Sequence, residues 1–275
     1  MIDLHLHSTA SDGRLPPAAV VALAQAAGLT TIALTDHDTV AGFDEARAAA
    51  GAAGLRMVPG IEITAVEDSR DVHVLGYFFD PSSEALDTFL TAQRTDRVRR
   101  LREIGVRLAS LGWPVDLEPI LCAAEQRQGK SVGRPLVADA LIAAGHAVDR
   151  RDAFERLLGA GRPGFIARVG APVSNVVDII HRAGGIAALA HPGPLEMDDA
   201  IEGFVRGGLD AIEARHSDHD EIAEQRYRAM AGKLGVVVCG GSDFHGDPSR
   251  RVNELGLITL PESDFVALEA RARRK

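Results

Sequence analysis

The sequence predicts an α/β fold, a barrel of βα units interrupted by a small helical subdomain. Three observations lead there. Short apolar segments alternate with helical patterns over most of the 275 residues, as βα repeats around a parallel sheet or barrel require. Between Ser83 and Arg168 the alternation stops and the pattern is helical throughout. The chain has no internal repeat and no low-complexity linker, and at 46% hydrophobic residues it can bury a substantial core.

The elements follow in order. Residues 2–7 alternate apolar and polar side chains and read as the first strand. Pro16-Pro17 opens an alanine-rich helix that Gly28 ends. Strands are expected at 31–35, 56–64 and 72–79, with a helix at 40–53. The inserted segment starts with a long arginine-rich helix through Ala109, then shorter helices near 117–128, 135–144 and 150–158. Beyond it come helices at 173–183 and 219–234 and strands at 186–190, 210–214 and 236–239, with a further strand expected at 255–260. The barrel thus covers 1–98 and 168–275, and 99–167 form a helical insertion contributing to a substrate pocket.

Composition narrows the class of protein. Cys122 and Cys239 cannot form a disulfide framework, which fits a reducing compartment. Met1 leads straight into a strand without a basic-then-apolar leader, and the longest apolar runs are too short to span a bilayer. A cytoplasmic protein without membrane association is expected. The net charge of -9 is unevenly spread. From Arg94 to Arg168 there are 14 Lys and Arg against 9 Asp and Glu, a local balance of +5 that leaves -14 elsewhere. An acidic body with a basic segment suits cations bound in one part and phosphates in another.

Chemistry is carried by the strand ends. Asp3, His5 and His7 fall on one face of the first strand, and histidines at i and i+2 can ligate one metal ion. The second strand runs into Asp36-His37-Asp38, the third carries Glu62, and Val72 leads into His73. Residues 186–190 end at His191, and Gly240-Gly241-Ser242 leads to Asp243-Phe244-His245. Functional side chains gather at the C-terminal ends of barrel strands, and Asp12 in the turn after the first strand joins them. Nitrogen and carboxylate donors without thiolate suit Mn²⁺, Zn²⁺ or Fe²⁺, with Mg²⁺ also possible. Several such ions can clamp phosphoryl oxygens and neutralise charge gathering at phosphorus. The three lysines, Lys130, Lys233 and Lys275, end no predicted strand, which counts against a binuclear amidohydrolase with a carboxylated lysine. A P-loop at Gly129-Lys130-Ser131 lacks its first glycine, since Ala124 stands there.

Asp3-Leu4-His5-Leu6-His7-Ser8, Thr35-Asp36-His37-Asp38, Pro59-Gly60-Ile61-Glu62, Ala190-His191-Pro192 and Gly241-Ser242-Asp243-Phe244-His245 resemble the motifs of the PHP (polymerase and histidinol phosphatase) superfamily. The resemblance implies a distorted (β/α)7 barrel with two or three divalent ions. It implies one ion at His5, His7, Glu62 and Asp243, a second at Glu62, His73 and His191, and a third at Asp12, His37 and His245. Asp12, His37 and His245 would be catalytic. Ser131-Val132-Gly133-Arg134-Pro135 resembles the branch containing 3',5'-nucleoside bisphosphate phosphatases and 5'-to-3' exoribonucleases of short RNA. That implies a phosphomonoesterase acting on a small nucleotide, with a short oligonucleotide as the alternative substrate.

The basic segment points the same way. Arg134, at a helix start, can pair bidentately with a phosphate, and Ser131, Gly133 and nearby N–H groups can complete an anion pocket. Arg168, where the chain re-enters the barrel, is expected to face the metals. Arg102 and Arg99 are further candidates on the long helix, and Asp12 is expected to touch substrate. Few aromatics argue against a base-stacking platform for long nucleic acid. Glu213 and His216 follow the sixth strand and can line the site, whereas His146, His181 and His219 read as surface or helix residues. A non-catalytic metal-binding module, regulatory or a polymerase partner, is the rival from another class.

Overall fold

A computed structural model describes residues 1–247 and 255–274. Seven strands, β1 (Ile2–Leu6), β2 (Thr31–Leu34), β3 (Arg56–Glu67), β4 (Arg70–Tyr77), β5 (Ile186–Leu189), β6 (Ala211–Arg215) and β7 (Val237–Gly240), pair in that order in one curled sheet. Helices α1 (Pro17–Ala26), α2 (Phe43–Ala53), α7 (Val173–Arg182), α8 (Pro192–Leu195), α9 (Asp198–Arg206), α10 (Glu221–Leu234) and α11 (Glu262–Ala272) belong to the barrel. Between β4 and α7 lie α3 (Glu84–Ser110), α4 (Glu118–Gln126), α5 (Arg134–Ala143) and α6 (Arg150–Ala153), the last running into a π-helical turn, Phe154–Leu158.

Strands β2 and β5 are buried along their whole length, as strands covered on both faces must be. Helix ends obey local chemistry. The Ser83 and Asp220 side chains accept N–H groups of the first turns of α3 and α10.

Two expectations need correction. The βα repeat pattern implied parallel neighbours throughout, yet β4 is antiparallel to both β3 and β5. No helix separates β3 from β4. Asp68 and Ser69, both at positive φ, form the tight turn of a hairpin, and a two-residue connection permits only antiparallel pairing. The reversal has a functional consequence. His73 lies near the start of its strand, and because that strand runs backwards, its start sits beside the C-terminal ends of its neighbours. The strand expected at 255–260 is absent from the described residues there, where Leu260 makes one antiparallel bridge to Ile2.

The barrel closes through the loop after β7. Leu6 bridges Phe244, and His7 N donates to Phe244 O at 2.9 Å. A Cβ at Gly241 would stand 2.4 Å from His5 N, so only glycine lets this loop lie against β1.

Helix α3 serves two cores. Its first half contributes Leu86 and Leu90 to the barrel core, and its second half gives Leu101, Ile104 and Leu108 to a separate core with Leu121, Val137, Leu141 and Leu157. The 98/99 boundary read from the sequence falls inside this helix. No helix among the described residues is long and apolar enough to cross a membrane.

Candidate active site

At the end of the barrel where β1, β2 and β3 finish, five imidazoles surround one carboxylate. Glu62, buried, lies 2.7 Å from His73 Nδ1, 3.0 Å from His37 Nδ1 and His191 Nε2, 3.2 Å from His7 Nε2 and 3.4 Å from His5 Nε2. Asp243 Oδ1 is 3.1 Å from His7 Nε2 and 3.4 Å from His5 Nε2. Asp12 Oδ1 is 3.2 Å from His245 Nε2, and Asp12 Oδ2 is 3.8 Å from His37 Nε2. The fold therefore brings His5, His7, Asp12, His37, Glu62, His73, His191, Asp243 and His245 together.

Their donor atoms fall into groups compact enough to share an ion: His7, Asp12, His37 and His245; His5, Glu62 and His191; His37, Glu62 and His73; and His5, His216 and Asp243. In these groups His7 stands with Asp12, while His73 Nδ1 and His191 Nε2 share one oxygen of Glu62, Oε1, at 2.7 and 3.0 Å.

The donor set fits divalent ions on a second observation. Both ring nitrogens of His7, and Nδ1 of His37 and of His73, are buried without a hydrogen-bond partner, although carboxylate oxygens lie close to three of these four atoms. Buried polar atoms left in this way need an explanation. Lone pairs converging on a common point, off the line of any hydrogen bond, are what metal ligation requires.

The electrostatics agree. Burial alone would raise the carboxyls of Glu62 and Asp12, but the surrounding imidazoles outweigh it and hold both well below the usual carboxylate range. Against the same burial, Asp243 and Glu62 push His7 up to about 9. Protons here stand where cations would bind.

The flanking acids have other work. Asp3, expected on the same face as His5 and His7, accepts from the backbone of His5 and Ser242 and ties β1 to the closing loop. Asp36 accepts from Ser8 and Ser11 and shapes the loop that carries Asp12. Three non-glycine residues near the centre, Asp38, His191 and Asp243, hold positive φ, a conformation that costs roughly 1–3 kcal/mol and clusters at functional sites.

Adjoining the histidines is a cavity of about 200 Å³. Its lining combines Asp12, His37 and His73 of the ligand cluster with Arg97, Arg100, Arg134 and Arg168. Arg97 Nε and Arg168 Nη2 donate to Asp38 Oδ2 at 2.5 and 2.8 Å. Arg134 Nη2 and Arg100 Nη1 donate to Asp71 Oδ2 at 3.0 and 3.2 Å. Four guanidiniums thus face two carboxylates. Burial and the nearby Arg100 push Arg134 down to about 10, with Asp71 opposing. Arg100 Nη2 and Arg168 Nε are buried donors without a hydrogen-bond acceptor, the latter lying 3.9 Å from Asp96 Oδ2. Buried guanidinium donors left in this way suit an anion.

Among the residues expected to contact substrate, Asp12, Gly133, Arg134 and Arg168 line this cavity. Gly133 caps α5, and a Cβ there would stand 3.0 Å from Arg97 Nη1. Ser131 and Arg102 are not brought to it. Ser131 is buried outside the cavity lining, with its N–H bound to Ala10 O. Arg102 is 57% exposed and paired with Glu125 on the outward face of α3. Arg97 and Arg100 were missed, though the helix register could have found them. Leu86, Leu90, Gln93, Arg100, Leu101, Ile104 and Leu108 form the buried stripe of α3; Arg97 continues it, whereas Arg99 and Arg102 fall outside. Glu213 reaches the centre by holding His5, and His216 by lying beside Asp243. His219, expected at the surface, is half-buried between Ala214 O and Gly193 N. Lys130 donates to Thr9 O and Ser11 O, outside the ligand groups.

Known proteins resemble this chain over most of its length. The chain is 34% identical to a 5'-3' exoribonuclease of Haemophilus influenzae over 88% of its own length and 89% of the relative's. It is 32% identical to a 3',5'-nucleoside bisphosphate phosphatase of Chromobacterium violaceum, over 99% and 98% of the two chains. A crystal structure from Bifidobacterium adolescentis, assigned as a metal-dependent phosphoesterase, superposes with a TM-score of 0.88 at 32% identity, covering 98% of this chain and 96% of that one. The family profile of the PHP domain matches residues 3–184. The chain belongs to the PHP domain family and is a phosphoesterase within it.

Proposed function

We propose that the protein hydrolyses the 3'-phosphate of nucleoside 3',5'-bisphosphates, for example adenosine 3',5'-bisphosphate to AMP and phosphate. The observation that carries this reading is the cavity lined both by metal-type ligands and by four arginines. His73 and Asp71 are alternate residues of β4, so a histidine of the cluster and the carboxylate that binds Arg134 and Arg100 stand roughly 7 Å apart along the strand. That is on the order of the separation of two phosphates on one ribose.

The nine His, Asp and Glu side chains hold two or three divalent ions, of which Mn²⁺ suits the donor set best. When bound, these ions supply Lewis-acid stabilisation of the charge that gathers at phosphorus. The chain's own residues do the rest. The Arg134 fork, with Arg168, Arg97 and Arg100, binds the phosphate that is not cleaved and so fixes the position of the other. Asp71 and Asp38 keep the guanidiniums oriented while leaving part of their charge uncompensated. Asp12, His37 and His245 form the catalytic set where the cavity meets the ions, and Asp12 also touches substrate. The helical segment 99–167 forms the arginine wall with Arg97 and Arg168. A cytoplasmic location is part of this reading and rests on Cys122 and Cys239, both free thiols.

The second reading is a 5'-to-3' exoribonuclease on short oligonucleotides, with the chain's 5'-phosphate at the arginines. It is supported by the Haemophilus influenzae relative. A groove lined by Arg94, Arg99, Arg102, Lys130 and Thr39 also supports it, because its cationic side chains offer further nucleotides a place to bind.

Protein stripped with chelator and refilled with Mn²⁺ separates the readings. It is given adenosine 3',5'-bisphosphate, AMP, histidinol phosphate or a 5'-phosphorylated trinucleotide. Phosphate release from the bisphosphate with AMP intact is the expected result. Trimming of the trinucleotide alone would make it an exoribonuclease, and inactivity in all four would leave a non-catalytic module.

A further inference from the structure

Strand β6 and the loop after it place two residues against the metal-type cluster, and their hydrogen bonds differ in kind from those of the ligands. Glu213 is fully buried with both oxygens engaged. His5 Nδ1 donates to Oε1 at 2.9 Å, and the backbone N–H of His191 donates to Oε2 at 2.8 Å. A carboxylate can only accept, so His5 carries its proton on Nδ1 and turns the Nε2 lone pair toward Glu62 and Asp243. The same carboxylate pins the backbone of His191, whose φ of 26° would otherwise relax.

His216 shows the opposite arrangement. Its Nδ1 accepts the backbone N–H of Asp218 at 3.0 Å, which spends the Nδ1 lone pair. In a neutral ring the proton is then on Nε2. That atom is buried without a hydrogen-bond partner and lies 3.7 Å from Asp243 Oδ2, on the side away from the oxygen that faces His7. Proximity alone would count His216 with His5 and Asp243 as three ligands of an ion. An Nε2 that bears a proton cannot ligate.

We infer that β6 and the loop after it supply no ligand but two positioning residues: Glu213 sets the tautomer of His5 and the backbone of His191, and His216 biases Asp243 through the electrostatic attraction of its Nε2–H for Oδ2 across 3.7 Å, a separation longer than a hydrogen bond. This inference rests on the metal-site reading above. Partners of this kind around a metal ligand are worth about 10- to 100-fold in metal affinity.

The test titrates Mn²⁺ into chelator-stripped, full-length protein against a competing fluorescent chelator, with ion content at saturation measured by mass spectrometry. Glu213→Gln and His216→Phe should each weaken binding about 10- to 100-fold without changing the number of ions bound at saturation. His216→Gln, which restores an N–H donor, should recover most of the loss and shows that a weak His216→Phe is not merely misfolded. Loss of one whole ion in His216→Phe would make His216 a ligand and overturn its role, as would unchanged affinity in both first variants. A wild-type protein that takes up no Mn²⁺ would instead sink the metal-site reading. In that event ¹⁵N spectra of histidine-labelled, metal-free protein decide alone. Nδ1 without a proton and Nε2 with one are expected at His216, and the reverse tautomer would overturn the inference.

Discussion

Replacing Arg134 with alanine tests the arginine lining of the cavity. The side chain gives one hydrogen bond to Asp71, one to Leu158 O, and packs its guanidinium 5.6 Å from the ring centres of Phe154 and Phe165. Asp71 keeps Arg100 as a partner after the substitution, so no buried carboxylate is stranded. What is lost is one of four guanidiniums facing two carboxylates, and one fork toward the bound phosphate. A hydrogen bond to a charged group is worth about 1.5–3 kcal/mol, which converts to about 10- to 100-fold in binding at 1.4 kcal/mol per decade. Because the proposed contact is to the phosphate that does not react, the loss falls on ground-state and transition-state binding alike. The expected outcome is a KM for adenosine 3',5'-bisphosphate raised about 10- to 100-fold, with kcat nearly unchanged, read by phosphate release under Mn²⁺. Arg102→Ala, on the outward face, should leave both constants as they are. A fall in kcat at constant KM, or an equal effect of the two substitutions, would rule out a phosphate-binding role for Arg134.

Further outcomes follow from the same geometry. Glu62→Gln removes the carboxylate that five imidazoles surround, and should abolish both turnover and retention of metal through gel filtration, measured by elemental analysis; retained activity would dissolve the site. Ions must displace the protons held by the cluster, so Mn²⁺ uptake should release protons, seen as buffer-dependent heats in calorimetry, and apparent affinity should climb as pH rises toward 9. The metal-free protein has the opposite dependence. The His7 pKa is raised by folding, so its contribution to stability is complete below about 6.5 and is lost as pH rises through about 9. Thermal melting of stripped protein should therefore fall over that window. Asp38→Ala leaves the buried Arg97 and Arg168 without their shared carboxylate, which should cost about 3–5 kcal/mol in urea unfolding; a change under about 1 kcal/mol would show the pairing to be incidental.

Much of the centre was legible because strand geometry is rigid. Once His5 and His7 alternate on a buried strand, their common direction follows, and residues at the ends of other strands converge for the same reason. The direction of β4 was not legible. The turn at Asp68 and Ser69 lacks the glycine that announces a hairpin, and a strand's apolar content does not record its orientation. On α3 the arginines occur so densely that composition could not choose among them. The register set by Leu86, Leu90 and Gln93 selects Arg97 and Arg100, and a register shifted by two residues would have selected the pair first proposed, Arg99 and Arg102. Glu213 could be placed near the site from its strand but not given a partner, since its contact with His5 joins residues 208 positions apart. Ser131 and Arg102 show the converse, residues with suitable chemistry that packing directs elsewhere.

The most direct test of this cavity compares kcat/KM for adenosine 3',5'-bisphosphate with that for adenosine 3'-monophosphate, which presents the same scissile ester without a second phosphate. A preference for the bisphosphate of at least about 100-fold is expected, most of which disappears in Arg134→Ala. Equal kcat/KM for the two substrates would contradict it and leave the four arginines without a part in recognition.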